Sequence, residues 1–157
     1  MGEERPVRAV GIRLHAYEDE IINQACEALN GLPRSTLMQE AVLTETARLG
    51  IRWSAEEPAY LGAPWPYMPE RGEEATEVRV NVSMSMAVCE LLRRGAAHVH
   101  ASEPQFVVGA TLAYVGRLQR LFKGVSAETP GEAAKIRDAL QRIKLPSQYQ
   151  YRGRRRR

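Results

Sequence analysis

The stretch from Thr76 to Met86, TEVRVNVSMSM, alternates apolar and polar residues almost without interruption. Successive side chains of an extended chain point to opposite faces. Val78, Val80, Val82 and Met84 therefore fall on one side, and Arg79, Asn81 and Ser83 on the other. The first side reads as a core face. The second carries three hydrogen-bonding groups that have no partner within the stretch.

A similar strand lies earlier in the chain. VRAVGIRLHAYEDEIINQACEALNGLPRSTLMQEAVLTETARLG, residues 7–50, can be laid over TEVRVNVSMSMAVCELLRRGAAHVHASEPQFVVGATLAYVGRLQ, which starts at Thr76, with an offset of about 70. Val10, Ile12 and Leu14 then match Val80, Val82 and Met84; Ile21 and Ile22 match Leu91 and Leu92; Leu29 matches Val99. After a one-residue slip, Leu37, Met38 and Ala41 match Phe106, Val107 and Ala110. In each copy the apolar period changes from two to 3.6, which predicts a short strand followed by two helices.

Local signals place the helix ends. Asn30 and Gly31 stop the first helix, and Pro33, tolerated in a first turn, opens a second that runs to Gly50. In the second copy, Ser102 and Gln105 have capping-box spacing and predict a helix from there to about Phe122. Thr129 as cap, Pro130 at the first helical position and Glu132 predict one more helix over 129–144, with Ile136, Leu140 and Ile143 as its apolar stripe.

Five segments follow: a first unit at 7–50, a linker at 51–75, a second unit at 76–123, the helix at 129–144 and a basic tail at 145–157. Pro58, Pro64, Pro66 and Pro69 exclude a regular helix through the linker. Its roughly 24 central residues can reach about 80 Å. Trp53, Tyr60, Trp65 and Tyr67 are expected to pack on the domain surface, the alternative being a docking strip for a protein partner.

At 157 residues and 44% hydrophobic, the chain can build one ordinary core. No apolar run approaches the roughly 20 residues of a membrane-spanning helix, and MGEERPVRAVG lacks the apolar stretch of a signal peptide, so a cytoplasmic protein with no membrane partner is expected. Cys26 and Cys89 form no CxxC pair and are expected to be small buried apolar residues. The net charge of +3 is a property of the end of the chain: RGRRRR supplies five of the 22 basic residues, and the remaining 17 are outnumbered by 19 acidic ones. Such a tail suits a flexible arm for polyanions.

A lone strand has to find a partner for its backbone, and a strand with two helices cannot bury its stripe alone. Pairing the two strands antiparallel and closing four helices beneath them satisfies both demands. The fold expected is mainly α with a two-stranded antiparallel ribbon, whose upper face carries Ala9, Gly11 and Arg13 beside Arg79, Asn81 and Ser83. Whether the ribbon forms within one chain or between two is open at this level.

Doubled strand-helix-helix units with apolar-in, polar-out strands resemble the ribbon-helix-helix DNA-binding family of Arc, MetJ and CopG. The tandem order is similar to the TraY-type proteins of conjugative plasmids. The resemblance covers residues 7–50 and 76–122 and implies an intramolecular pseudo-dimer whose ribbon enters the major groove of double-stranded DNA. It implies base contacts from Arg79, Asn81, Ser83, Arg13, Gly11 and Ala9. It also implies phosphate contacts at the starts of the second helices, from Arg34, Ser35 and Thr36 in one copy and Ser102 in the other.

The sequence departs from the family in that Ala9 and Gly11 stand where polar readers are expected, and Glu103 puts an acid beside a phosphate position. An asymmetric site dominated by the second strand is the expectation. Arg154, Arg155, Arg156 and Arg157 add phosphate contacts from the tail.

The function implied is that of a repressor or a plasmid transfer or partition accessory protein, with side-by-side assembly on DNA. The alternative is an antitoxin-like or adaptor module that binds a protein through the linker and last helix. A third reading is RNA binding through the tail. No GxSxG, HExxH or phosphate-loop pattern occurs, and His98 and His100 are spaced wrongly to share a helical face, so neither an enzyme nor a cofactor or metal is expected. His15, just past the first strand, is expected to be a turn or cap residue.

Overall fold

The computed structural model describes residues 6–53, 64–71, 78–125 and 131–150. Among these, the elements run β1 (Val7–Leu14), α1 (Ala16–Ala28), α2 (Arg34–Arg48), β2 (Val78–Ser85), α3 (Met86–Val99), α4 (Glu103–Lys123) and α5 (Glu132–Gln141), followed by a short 3-10 turn at Ser147–Tyr149. The molecule is mainly helical with one antiparallel two-stranded sheet made of β1 and β2. The ribbon is therefore closed within a single chain.

Its register sets Val10 opposite Val82 and Ile12 opposite Val80, with Gly11 opposite Asn81 between them. Val10, Ile12, Leu14, Val82 and Met84 are buried under the ribbon, as their alternation with polar neighbours predicts. The matched helical positions are core positions too: Ile21, Ile22, Leu91, Leu92, Leu37, Met38, Ala41, Phe106, Val107 and Ala110 are all buried. Each large aliphatic side chain so buried contributes about 1.5–3 kcal/mol. The longest helix, α4, packs on α2, α3, α5 and β1 and forms the centre of the core.

The helix ends follow the local chemistry. His15 is the N-cap of α1, and its amide donates to the Glu18 carboxylate at 2.8 Å. Ser85 caps α3 by accepting from the Val88 amide at 3.2 Å. At α4 the reciprocal box is complete: the Ser102 amide donates to Gln105 Oε1 at 3.0 Å, and the Gln105 amide to Ser102 Oγ at 3.2 Å. Asn30 and Gly31 end the α1 connection with φ of 60° and 74°, the left-handed region that asparagine and glycine tolerate best. For α5 the cap is Gly131 at φ 90°, two residues later than the Thr129 expected from the sequence. Thr129 and Pro130 themselves lie outside the described residues.

The linker contributes to the core. Trp65 is buried, with its ring stacked on Phe106 at 5.0 Å between centroids, and Tyr67 stacks on Tyr149 at 6.5 Å. Of the four linker aromatics, Trp53 is exposed and Tyr60 lies outside the described residues. The last segment joins the same layer: Leu140, Ile143, Leu145 and Tyr149 belong to the hydrophobic cluster, and Gln148 donates to the Met68 carbonyl at 3.0 Å. Gly109 and Gly116 on α4 make room for these two segments, since a Cβ at either would collide with the backbone carbonyl of Tyr67 or of Tyr149. Among the described residues, no helix is long and apolar enough to cross a membrane.

Candidate nucleic-acid interface

The outward face of the ribbon is built by parity alone. With the even-numbered residues of β1 turned to the core, Ala9, Gly11 and Arg13 point away from it, as do Arg79, Asn81 and Ser83 of β2, and all six are exposed. The register brings them into three cross-strand pairs: Ala9 with Ser83, Gly11 with Asn81 and Arg13 with Arg79. All six expected base-contacting residues thus share one surface about three pairs long. At the centre, a Cβ at position 11 would sit in ordinary contact with Asn81 Oδ1, at 3.5 Å.

The register has a further property. Under the offset of about 70 that relates the copies, Val10 corresponds to Val80 and Ile12 to Val82. Exchanging the halves therefore returns the same pairs, with Gly11 and Asn81 at the point of exchange.

The phosphate positions differ from one another. At the start of α2 no side chain caps the helix, so the amides of Arg34, Ser35 and Thr36, which have no acceptor four residues back, keep their donors for solvent or an anion. The Arg34 guanidinium is held by Asp19 at 3.1 Å and by Asn23 Oδ1 at 2.5 Å. At the start of α4, Ser102 is committed to its capping box. Glu103 pairs with Arg8 at 3.5 Å, so the acid beside this phosphate position has its charge met within the protein. Arg154, Arg155, Arg156 and Arg157 lie outside the described residues.

Sequence reasoning missed two residues here. Arg8 shares the parity of Val10 and Ile12, which marks it as inward-facing, yet β1 overruns the core at this end and the side chain emerges 53% exposed beside Glu103. Arg71 braces the other end of β1: it donates to the Arg13 carbonyl at 3.2 Å and pairs at 3.1 Å with Glu18, a carboxylate of zero exposure. An arginine in an irregular linker carries no periodic signal, and only the fold shows its partner.

Burial pushes the Cys89 thiol up from its ordinary value, with Arg8 opposing and Glu103 adding to the shift, and burial does the same at Cys26. Both are free cysteines that favour the neutral thiol. Among the described residues, no group of three or more His, Cys, Asp or Glu side chains is placed to hold a metal ion. The arrangement places two guanidiniums, a carboxamide and a hydroxyl on one exposed ribbon face. No protein-family model, curated protein or solved structure matches the chain.

Proposed function

We propose that this chain is a sequence-specific double-stranded DNA-binding protein in which two ribbon-helix-helix units pair within one polypeptide, and that it acts as a repressor or a plasmid transfer or partition accessory protein. The observation that carries this reading is the ribbon register: it is unchanged when the two halves are exchanged, and its outward face presents Arg79, Asn81, Ser83 and Arg13 clear of the core. A two-stranded ribbon fits the major groove, where arginine addresses guanine and asparagine adenine through paired hydrogen bonds. The uncapped start of α2 and the arginine tail supply backbone contacts that position the ribbon without reading sequence.

The test is a duplex selected from random DNA, bound by the natural chain and by the double variant Arg79→Ala with Asn81→Ala. Both positions are exposed, so the variant keeps its fold by circular dichroism. It is expected to lose sequence preference while retaining general, salt-sensitive affinity. Unchanged selectivity would remove the ribbon from the mechanism. Binding indifferent to salt would point instead to a protein-interaction module working through the linker and α5.

A further inference from the structure

The register of the ribbon is unchanged when the halves are exchanged, and its reading face is not. Arg13 and Arg79 form one cross-strand pair and Ala9 and Ser83 the pair at the other end, positions that the exchange would make equivalent. The inequality therefore runs along the ribbon, whereas the sequence alone placed it between the strands. Arg8, which emerges near the neutral end, does not restore the balance, because Glu103 holds it at 3.5 Å. At the cationic end no acidic side chain pairs with Arg13 or Arg79 among the described residues.

Resting on the DNA-binding reading, we infer that the ribbon recognises a polar, non-palindromic duplex: guanine-bearing beneath Arg13 and Arg79, adenine-bearing at the centre beneath Asn81, and thymine-tolerant beneath Ala9 and Ser83. The chemistry of each end fixes the assignment. Two guanidiniums present paired donors to guanine O6 and N7, whereas a methyl group and a single hydroxyl discriminate little beyond contact with the thymine methyl. A ribbon of exchangeable register would then sit on its site in one orientation only.

The experiment uses the full chain and a random-sequence duplex library, followed by binding to the recovered site with its guanine-bearing end replaced by the inverted copy of the other end. The expected result is a consensus without dyad symmetry and affinity weaker by about 5- to 150-fold on replacement, the span of one bidentate base contact. A second arm uses the variant Ala9→Arg with Ser83→Arg, both exposed positions, checked for folding by circular dichroism. It should select a site with guanine at both ends. A palindromic consensus for the natural chain, or an unchanged consensus for the variant, would overturn the polarity while leaving DNA binding intact. Failure to enrich any duplex would overturn both.

Discussion

The indole N–H of Trp65 donates to the Glu45 carboxylate at 2.8 Å while the ring lies stacked on Phe106. A residue of the irregular linker thereby joins α2 to α4. Glu45 is only 5% exposed, and Arg48 grips the same carboxylate through two bonds at 2.6 and 2.7 Å. A buried charge is tolerated when it is this well supplied with donors. The linker is thus part of what holds α2 and α4 together.

Trp65→Ala should cost about 3–5 kcal/mol in urea denaturation, the usual penalty for deleting a large buried aromatic. Trp65→Phe keeps most of the volume and removes the donor, at a cost of about 1.5–3 kcal/mol for one lost hydrogen bond to a charged group that Arg48 still holds. Equal and negligible effects from both would show that the linker does not brace the core.

Glycines separate by what lies over them. Gly109→Ala should destabilise by at least about 1–3 kcal/mol, because the new methyl meets the Tyr67 carbonyl and the Trp65 ring and neither can retreat. Gly124→Ala should be neutral or stabilise by up to about 1 kcal/mol: its φ of −76° suits any residue, and among the described residues a Cβ there meets the Leu121 carbonyl at an ordinary 3.6 Å. Thermal midpoints of the two variants, measured side by side, check the contrast.

Like charges directly opposite each other across a ribbon are destabilising, and Arg13 faces Arg79 in that way. Arg79→Ser should therefore raise stability by roughly 0.2–1 kcal/mol at low ionic strength. The gain should shrink toward zero near 1 M salt, where the screening length falls to about 3 Å. A gain independent of salt would assign it to local packing instead.

Much of this was legible because it is local. Alternation placed Val82 and Met84 inward, and spacing placed the Ser102–Gln105 box. What stayed hidden depends on interactions between distant segments. Trp65 entering the core, Arg71 reaching Glu18 and the exposure of Arg8 have no periodic signature. The direction of the ribbon's inequality needed the register, since shifting one strand by two residues would separate Arg13 from Arg79. The start of α5 was misplaced because a capping-box spacing from Thr129 outweighed Gly131, whose φ of 90° makes it the natural entry point.

Alkaline pH should weaken the fold through its tyrosines. Burial raises the Tyr149 phenol well above its ordinary value, with Glu18 and Tyr17 adding to the effect, and burial likewise raises Tyr17 and Tyr114. In the unfolded chain these phenols ionise near pH 10. The folded state keeps its protons longer, so this contribution is complete below about pH 10 and is lost as pH climbs from there toward the folded values. The Tyr149 hydroxyl is buried and makes no hydrogen bond of good geometry among the described residues, although the Gln148 side chain beside it opposes part of the rise. Tyr149→Phe should consequently change stability by less than about 1 kcal/mol at neutral pH and flatten the fall above pH 10. Denaturation curves at pH 7 and pH 10.5 decide it, and a fall as steep in the variant as in the natural chain would contradict the role of Tyr149.

The arginine tail offers a test that separates affinity from specificity. Ending the chain after Gln150 removes Arg152, Arg154, Arg155, Arg156 and Arg157 and leaves every described residue in place. If those side chains only neutralise phosphates, the truncated protein should bind selected and unrelated duplexes more weakly by the same factor. The slope of log affinity against log salt should become shallower by about 0.9 for each phosphate that the tail no longer neutralises. The preference for the selected site over unrelated DNA should not move if, as proposed, base readout rests with Arg13, Arg79 and Asn81. A truncation that erased that preference while leaving general affinity intact would reverse the division of labour and place base reading in the tail.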